Sequence, residues 1–402
     1  MVHRRAGVAA QHRRRAVGVA RTGLPHREQE LLMRSHRLGV LWLCAGVLAA
    51  CEVPNGTYRG PDGPGDVVCS APEERCGEMC VNVAESSTSC GRCGHDCGGG
   101  ACAGGKCQPV LVADAADGLD QPAALAVNAS AIFWTERSRV RACPLPLGCA
   151  LEPRLIADAY EMLEAIGVTD DWVYFTGCRA CDDHHDLRRC PVAGCPEPTP
   201  IIRFTLHRYD EILIGKTRAY LRENTEALLE CEHADCAGTD RRWSNTSFGG
   251  ELIAATTDGD TIYVKPASTR LRTCADAMGC AERVILPNTT NIDPPFRVHA
   301  GRAYWFETLP NAQVRTCDIA NCIPSTVFAA DSPGSTKLEV DDTGVYWMNP
   351  ATGMVRHCPL EGCPPGGAAV LASGRTGMKA LTLGPGFIYW IEGNTILKLA
   401  KP

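Results

Sequence analysis

From Gln108 onward the chain is written in short runs of alternating apolar and polar residues, each four to seven residues long and broken by Gly, Asp, Asn or Pro. Alternation with a period of two is the signature of a β-strand with one covered face, and no helical period competes with it over comparable lengths. The runs are themselves repetitive. An aromatic-rich strand recurs as "IFWTE" at Ile132, "VYFTG" at Val173, "AYLRE" at Ala219, "IYVKP" at Ile262, "AYWFE" at Ala303, "VYWMN" at Val345 and "IYWIE" at Ile388. Measured between Trp134, Phe175, Leu221, Val264, Trp305, Trp347 and Trp390, the steps are 41, 46, 43, 41, 42 and 43 residues. Each unit carries four strand signals, and a four-strand unit of this length predicts a blade of a β-propeller. The fold class expected is therefore all-β, a seven-bladed propeller over residues 108–402. The last unit stops at its third strand, "TILKLAKP", and the missing fourth strand is predicted at the other end, Gln108–Ala115, so that the two chain ends pair and no sheet edge is left open.

The "VYWMN" pattern and its relatives resemble the Tyr-Trp-Thr-Asp propellers of the low-density-lipoprotein-receptor type and, more loosely, the TolB-like periplasmic propellers. Those have six blades and this chain has seven units, so the resemblance implies architecture and no ligand.

Cysteine adds the next layer. The chain has 24 cysteines in 402 residues, a density that persists as disulfides only in an oxidising compartment unless the thiols hold metal. Six units place a close pair after the third strand: Cys143 with Cys149, Cys190 with Cys195, Cys231 with Cys236, Cys274 with Cys280, Cys317 with Cys322, and Cys358 with Cys363. Recurrence at one place in six blades predicts six local disulfides, each pinning the turn between third and fourth strands on one rim. Cys178 and Cys181 have no counterparts and are expected to bridge each other, with a redox pair as the alternative. They open an insert that also holds Asp182, His184 and His185, types that ligate metal ions. Neighbouring histidines on a strand point to opposite sides, and a solvated polar loop is the alternative to a metal site. No other cofactor is expected.

Ahead of the propeller, Cys69, Cys76, Cys80, Cys90, Cys93, Cys97, Cys102 and Cys107 fall within 39 residues that offer almost nothing apolar to bury. Disulfides must then hold the segment together; eight cysteines allow 105 pairings, which the spacing does not resolve, and zinc is the competing reading of the close spacings. The run "CGEMCVNVAESSTSCGRCGHDCGGGACAGGKC" resembles the stigma-specific protein family, which implies a small extracellular disulfide module used in interaction; a rigid spacer is the plainer alternative.

At the start, "MRSHRLGVLWLCAGVLAAC" from Met33 sets two arginines before an apolar run and small residues, the layout of a signal peptide. Residues 1–50 are read as this signal region, with Met33 the true start. Its end, "LAAC", resembles the lipobox of bacterial lipoproteins, which implies a lipidated Cys51 as the mature N-terminus; a secreted protein cut after Ala50 is the alternative. The apolar run is too short to span a bilayer. Residues 51–68, rich in Pro and Gly, read as a flexible tether. A Glu52 after the lipidated cysteine points to the outer membrane if the source is Gram-negative, within a cell-envelope location.

Charge narrows the partners. The chain carries −6 overall, and its first 50 residues hold nine arginines against two glutamates, leaving −13 on the rest. A body that acidic repels phosphate backbones, so nucleic acid is not an expected partner. The motifs His-Glu-x-x-His and Gly-x-Ser-x-Gly do not occur, and no phosphate-binding Gly-rich loop is present. The expectation is a lipid-anchored, monomeric, non-enzymatic binding or scaffold protein whose propeller face takes a protein or glycan. A propeller lyase or hydrolase is the alternative.

Overall fold

The computed structural model describes residues 69–402 apart from 146–147, 150–151, 159–162, 179–183, 196–198, 206–208, 224–226, 237–240, 245–251, 260, 267–271, 275–279, 282–291, 308–310 and 332. The inner strands of seven four-stranded antiparallel sheets surround one channel, which forms a seven-bladed β-propeller. Within a blade, chain order is spatial order from channel to periphery. Blade 1, for example, runs Leu125–Val127, Ala131–Thr135, Val140–Pro144 and Arg154–Ala157, and the strands of blades 2 to 6 fall within 166–205, 209–244, 252–281, 292–330 and 337–372. Blade 7 is the exception. Its first three strands, Met378–Gly384, Phe387–Glu392 and Thr395–Ala400, are completed by Val110–Ala113 from the other end of the propeller sequence, with Ile396 opposite Ala113 and Leu397 opposite Leu111. The ring is closed by the strand that the incomplete seventh unit required.

The aromatic strand is the second in every blade, and its large side chains fill the seams. Trp134, Trp305, Trp347 and Trp390, with Tyr174, Tyr304, Tyr346 and Tyr389, are fully buried. Buried apolar residues form seven clusters, each joining neighbouring blades; Phe133 of blade 1, for instance, packs with Val173 and Phe175 of blade 2. Strand alternation explains this: successive residues of one aromatic strand serve the seams on either side of it. Trp347 thus packs toward blade 5 while Tyr346 and Met348 pack toward blade 7.

Disulfides join Cys143 to Cys149, Cys190 to Cys195, Cys231 to Cys236, Cys317 to Cys322 and Cys358 to Cys363, with Cα separations of 4.6–5.6 Å. Cys274 is also disulfide-bonded, and its register partner across the hairpin is Cys280, whose side chain lies outside the described residues. These loops do more than close a turn. The Cys195 N–H donates to Ile156 O, 2.9 Å, on the outer strand of the preceding blade, and the Arg154 guanidinium donates to Val192 O at 2.7 Å. Ile156 is the residue left out of register where that strand bulges, so the pinned loop satisfies a carbonyl that the ladder has dropped.

The cysteine module is joined 69–80, 76–93, 90–102 and 97–107, and it packs on the ring. Cys90, Cys97 and Cys107 share a buried cluster with Trp390, Leu399 and Ala400 of blade 7 and Ala372 of blade 6. Blade 7 has no cysteine at the end of its third strand: Leu399 stands opposite Ile388 as Cys143 stands opposite Ile132. Cys107, just before the closing strand, takes the place of the second cysteine of the other pairs, and its bond to Cys97 sets a module disulfide where blade 7 lacks its own. The His95 ring is hydrogen-bonded on both sides, Nδ1 to Cys90 O at 2.7 Å and Nε2 to Lys401 O at 2.9 Å, which ties the module to the last strand.

Candidate functional site

The inner strands of the seven blades enclose a channel of about 710 Å³. Its two rims differ in construction. At one, the inner strands finish, the turns into the aromatic strands lie, and the disulfide loops and module sit; at the other, the inner strands begin. Glu164, Glu211, Lys337 and Lys379 line the channel near the beginning rim, and Lys216, Asp258 and His299 near the finishing rim.

Between them a charge network crosses the channel. Arg297 of blade 5 donates from Nη2 to Glu339 Oε1 at 2.8 Å and from Nε to Glu339 Oε2 at 3.0 Å, both on blade 6. The same Nη2 reaches Glu211 Oε1 of blade 3 at 3.0 Å, passing over blade 4. The inner strand of blade 4 carries only the small residues Ala254, Ala255 and Thr256 at this level, which clears the path. Glu211 is further held by Arg222 at 3.7 Å. Burial pulls the guanidinium pKa down, but the two carboxylates outweigh it and hold Arg297 above its ordinary value. Glu211 and Glu339 are therefore structural anions, already satisfied. Lys216, Lys337 and Lys379 are exposed.

A second system lies in the blades just outside the channel and was missed in the sequence. Two residues after each seam-filling position of the aromatic strand stands Glu136, Gly177, Glu223, Pro266, Glu307, Asn349 or Glu392, and opposite the seam-filling residue on the third strand stands Arg141, Arg188, Leu229, Arg272, Arg315, Arg356 or Leu397. In blade 1 the acid serves both neighbours: Trp134 Nε1 donates to Glu136 Oε1 at 2.9 Å, and Arg141 lies 3.4 Å from Oε2. Desolvation raises the Glu136 carboxyl above its usual range despite these contacts. Glu307 pairs with Arg315 at 3.1 Å, Glu223 with Arg242 at 2.9 Å, Glu392 with Arg375 at 2.6 Å, and Asp186 with Arg188. Blade 6 departs from this. Asn349 replaces the acid, and Arg356 Nη2 lies 3.3 Å from the Met354 sulfur; the Trp347 indole N–H and the Arg356 Nε are buried without a hydrogen-bond partner, as are the Arg141 Nε of blade 1, the Arg188 Nε of blade 2 and the Trp305 indole N–H of blade 5.

Of the insert in blade 2, Cys181 and Asp182 lie outside the described residues, as do the side chains of Cys178, His184 and His185. Their backbone places Cys178 opposite His185 at the far end of the second and third strands from Cys190, on the beginning rim. Among the described residues one cluster has metal-ligand spacing, Cys90, Cys97 and Cys107, and all three sulfurs are in disulfides. Cys51 and the tether lie outside the described residues. No helix among the described residues is long and apolar enough to cross a membrane.

No protein-family model and no curated protein matches the sequence. Solved structures do match in fold. Virginiamycin B lyase from Staphylococcus aureus is similar at a TM-score of 0.55 and 10% identity, over 73% of this chain and 99% of that one. The WD40 propeller domain of Doa1 gives 0.51 and 10% over 73% and 97%, and YCF48, solved bound to the D1 peptide, gives 0.51 and 10% over 73% and 96%. At this identity the likeness defines a class, the β-propellers, and nothing narrower.

Proposed function

We propose that the protein is an exported, lipid-anchored binding or scaffold protein that takes a protein ligand on the beginning rim of its propeller. The observation that carries this is the division of the two rims. Among the described residues the disulfide module occupies the finishing rim beside blade 7, and no such module packs on the beginning rim. Glu211 and Glu339 support binding rather than acid–base work, because both are locked onto Arg297. A propeller solved with a peptide, YCF48, is consistent with this kind of ligand. On this reading the protein is a monomer of the cell envelope, at the outer membrane if the source is Gram-negative.

Two measurements test it. Metabolic labelling with a fatty acid should mark the full-length protein and fail in Cys51→Ser; an unlabelled wild type that fractionates without detergent refutes the anchor. Envelope extract passed over the immobilised propeller should yield a defined protein whose capture is lost when bulky residues are placed on the beginning rim. Capture of nothing refutes the binding role.

A further inference from the structure

We infer that, whatever ligand the propeller takes, His95 is a pH-sensitive clasp: charged, it holds the cysteine module on the last strand of blade 7, and uncharged, it weakens that hold.

The basis is what the ring faces. Its Nδ1 lies 2.7 Å from Cys90 O and its Nε2 2.9 Å from Lys401 O, both hydrogen-bond distances. Both partners are backbone carbonyls, which accept and never donate. A neutral imidazole has one N–H and one lone pair, so it serves one of the two carbonyls and turns its lone pair on the other. The imidazolium donates to both. His233 shows the contrast: Nε2 meets Gly215 O at 3.1 Å, but Nδ1 meets the Tyr174 hydroxyl at 3.0 Å, which can donate, so a neutral ring is satisfied there.

Both carbonyls are held in place. The Cys90 N–H donates to His95 O at 2.8 Å, closing that loop on itself, and disulfides at Cys90, Cys93 and Cys97 fix it within the module. On the propeller side the Lys401 N–H donates to Gly386 O at 3.0 Å, and the Lys401 ammonium pairs with Asp341 of blade 6. The charged groups around the ring are Arg92 and Asp96 on its own loop and Lys398, Lys401 and Asp341 on the blades it joins. Asp96 accepts from the Gly98 N–H, and Lys398 Nζ lies over the Phe387 ring at 4.8 Å. Proton binding and docking therefore favour each other, so the hold tightens as pH falls and slackens as pH rises through the range where histidines lose their charge, about pH 5 to 8. The clasp guards the seat of Cys97 and Cys107 against Trp390, Leu399 and Ala372, and with it the chain that leads into the closing strand Val110–Ala113.

The test uses the full chain in detergent, labelled with nitrogen-15 histidine. At about pH 5 the His95 ring should show two protonated nitrogens, a signal assigned by its absence from His95→Gln. Hydrogen exchange of the module peptide 84–98, corrected for the intrinsic pH dependence of amide exchange, should speed up about tenfold between about pH 5 and pH 8, the loss of one charge-assisted hydrogen bond. The aromatic strands of blades 2 and 3 should keep their protection over the same range. In His95→Gln the response of the module should vanish. In His357→Gln it should remain, which separates the clasp from the buried histidine of blade 6, whose charge acts with the opposite sign. Module exchange that ignores pH, a pH response that survives in His95→Gln, or a His95 ring with one bare nitrogen at acid pH overturns the inference. Should the glutamine variant fail to fold, His95→Asn takes its place, and the exchange profile of the wild type still decides.

Discussion

At the scale of the residue, the channel is organised by one arginine. Removing it in Arg297→Met leaves Glu211 and Glu339, each about a quarter exposed, facing the space that a cation filled. Loss of one partner of a part-buried pair should cost about 2 kcal/mol, between the exposed and fully buried cases. Chemical denaturation of the variant beside the wild type will read the deficit; unchanged stability would contradict the assignment. His357 provides a pH dependence. It is buried, stacked on Tyr346 with ring centroids 4.6 Å apart, and hydrogen-bonded to Thr343 O at 3.3 Å. Burial outweighs that carbonyl and holds the imidazole below its ordinary value of 6.5. A depressed histidine favours the neutral ring in the folded state, so its contribution is present above pH 6.5 and is lost as pH falls through the lower folded value. His357→Gln should flatten the acid-side fall in stability over that window, whereas an unchanged pH profile would place the titration elsewhere.

At the scale of the element, the unit is the hairpin of third and fourth strands with its disulfide. Replacing Cys190 and Cys195 by serine opens a short loop, worth about 2 kcal/mol by chain entropy. The contact with the neighbouring blade adds a consequence that entropy alone lacks: hydrogen exchange should rise at the amide of position 195, which donates to Ile156 O across the seam to blade 1. Gly194 is part of the same fit, since its φ of 98° suits glycine and a Cβ there would lie 3.1 Å from Leu155 O. How far these elements could be read in advance follows from their period. The aromatic strands, the unit length and the strand that closes blade 7 were legible because each recurs or leaves a gap in a recurrence. The acid two residues after the seam-filling aromatic recurs too, as Glu136, Glu307 and Glu392 show, but it was masked because blades 2, 4 and 6 replace it with Gly177, Pro266 and Asn349. The Arg297 network was not legible at all. It depends on which three inner strands face one another across the channel, and none of its four residues repeats in the other blades.

At the scale of the whole molecule, the module and the ring are one compact unit rather than a bead beside a wheel. Deleting residues 69–107 should therefore destabilise the propeller, by uncovering Trp390, Leu399 and Ala372 and by removing the two His95 bonds. Thermal melting and dye binding to exposed apolar surface will show it; a propeller that melts unchanged without the module would make the module a mere spacer. The same arrangement governs mechanical load. A pull on the chain ahead of Cys69 enters a knot of four covalent cross-links before it reaches Val110. The closing strand, the one place where the wheel could be unzipped from an end, is shielded from that force while the sulfur bonds hold, and becomes the weak point once they are reduced.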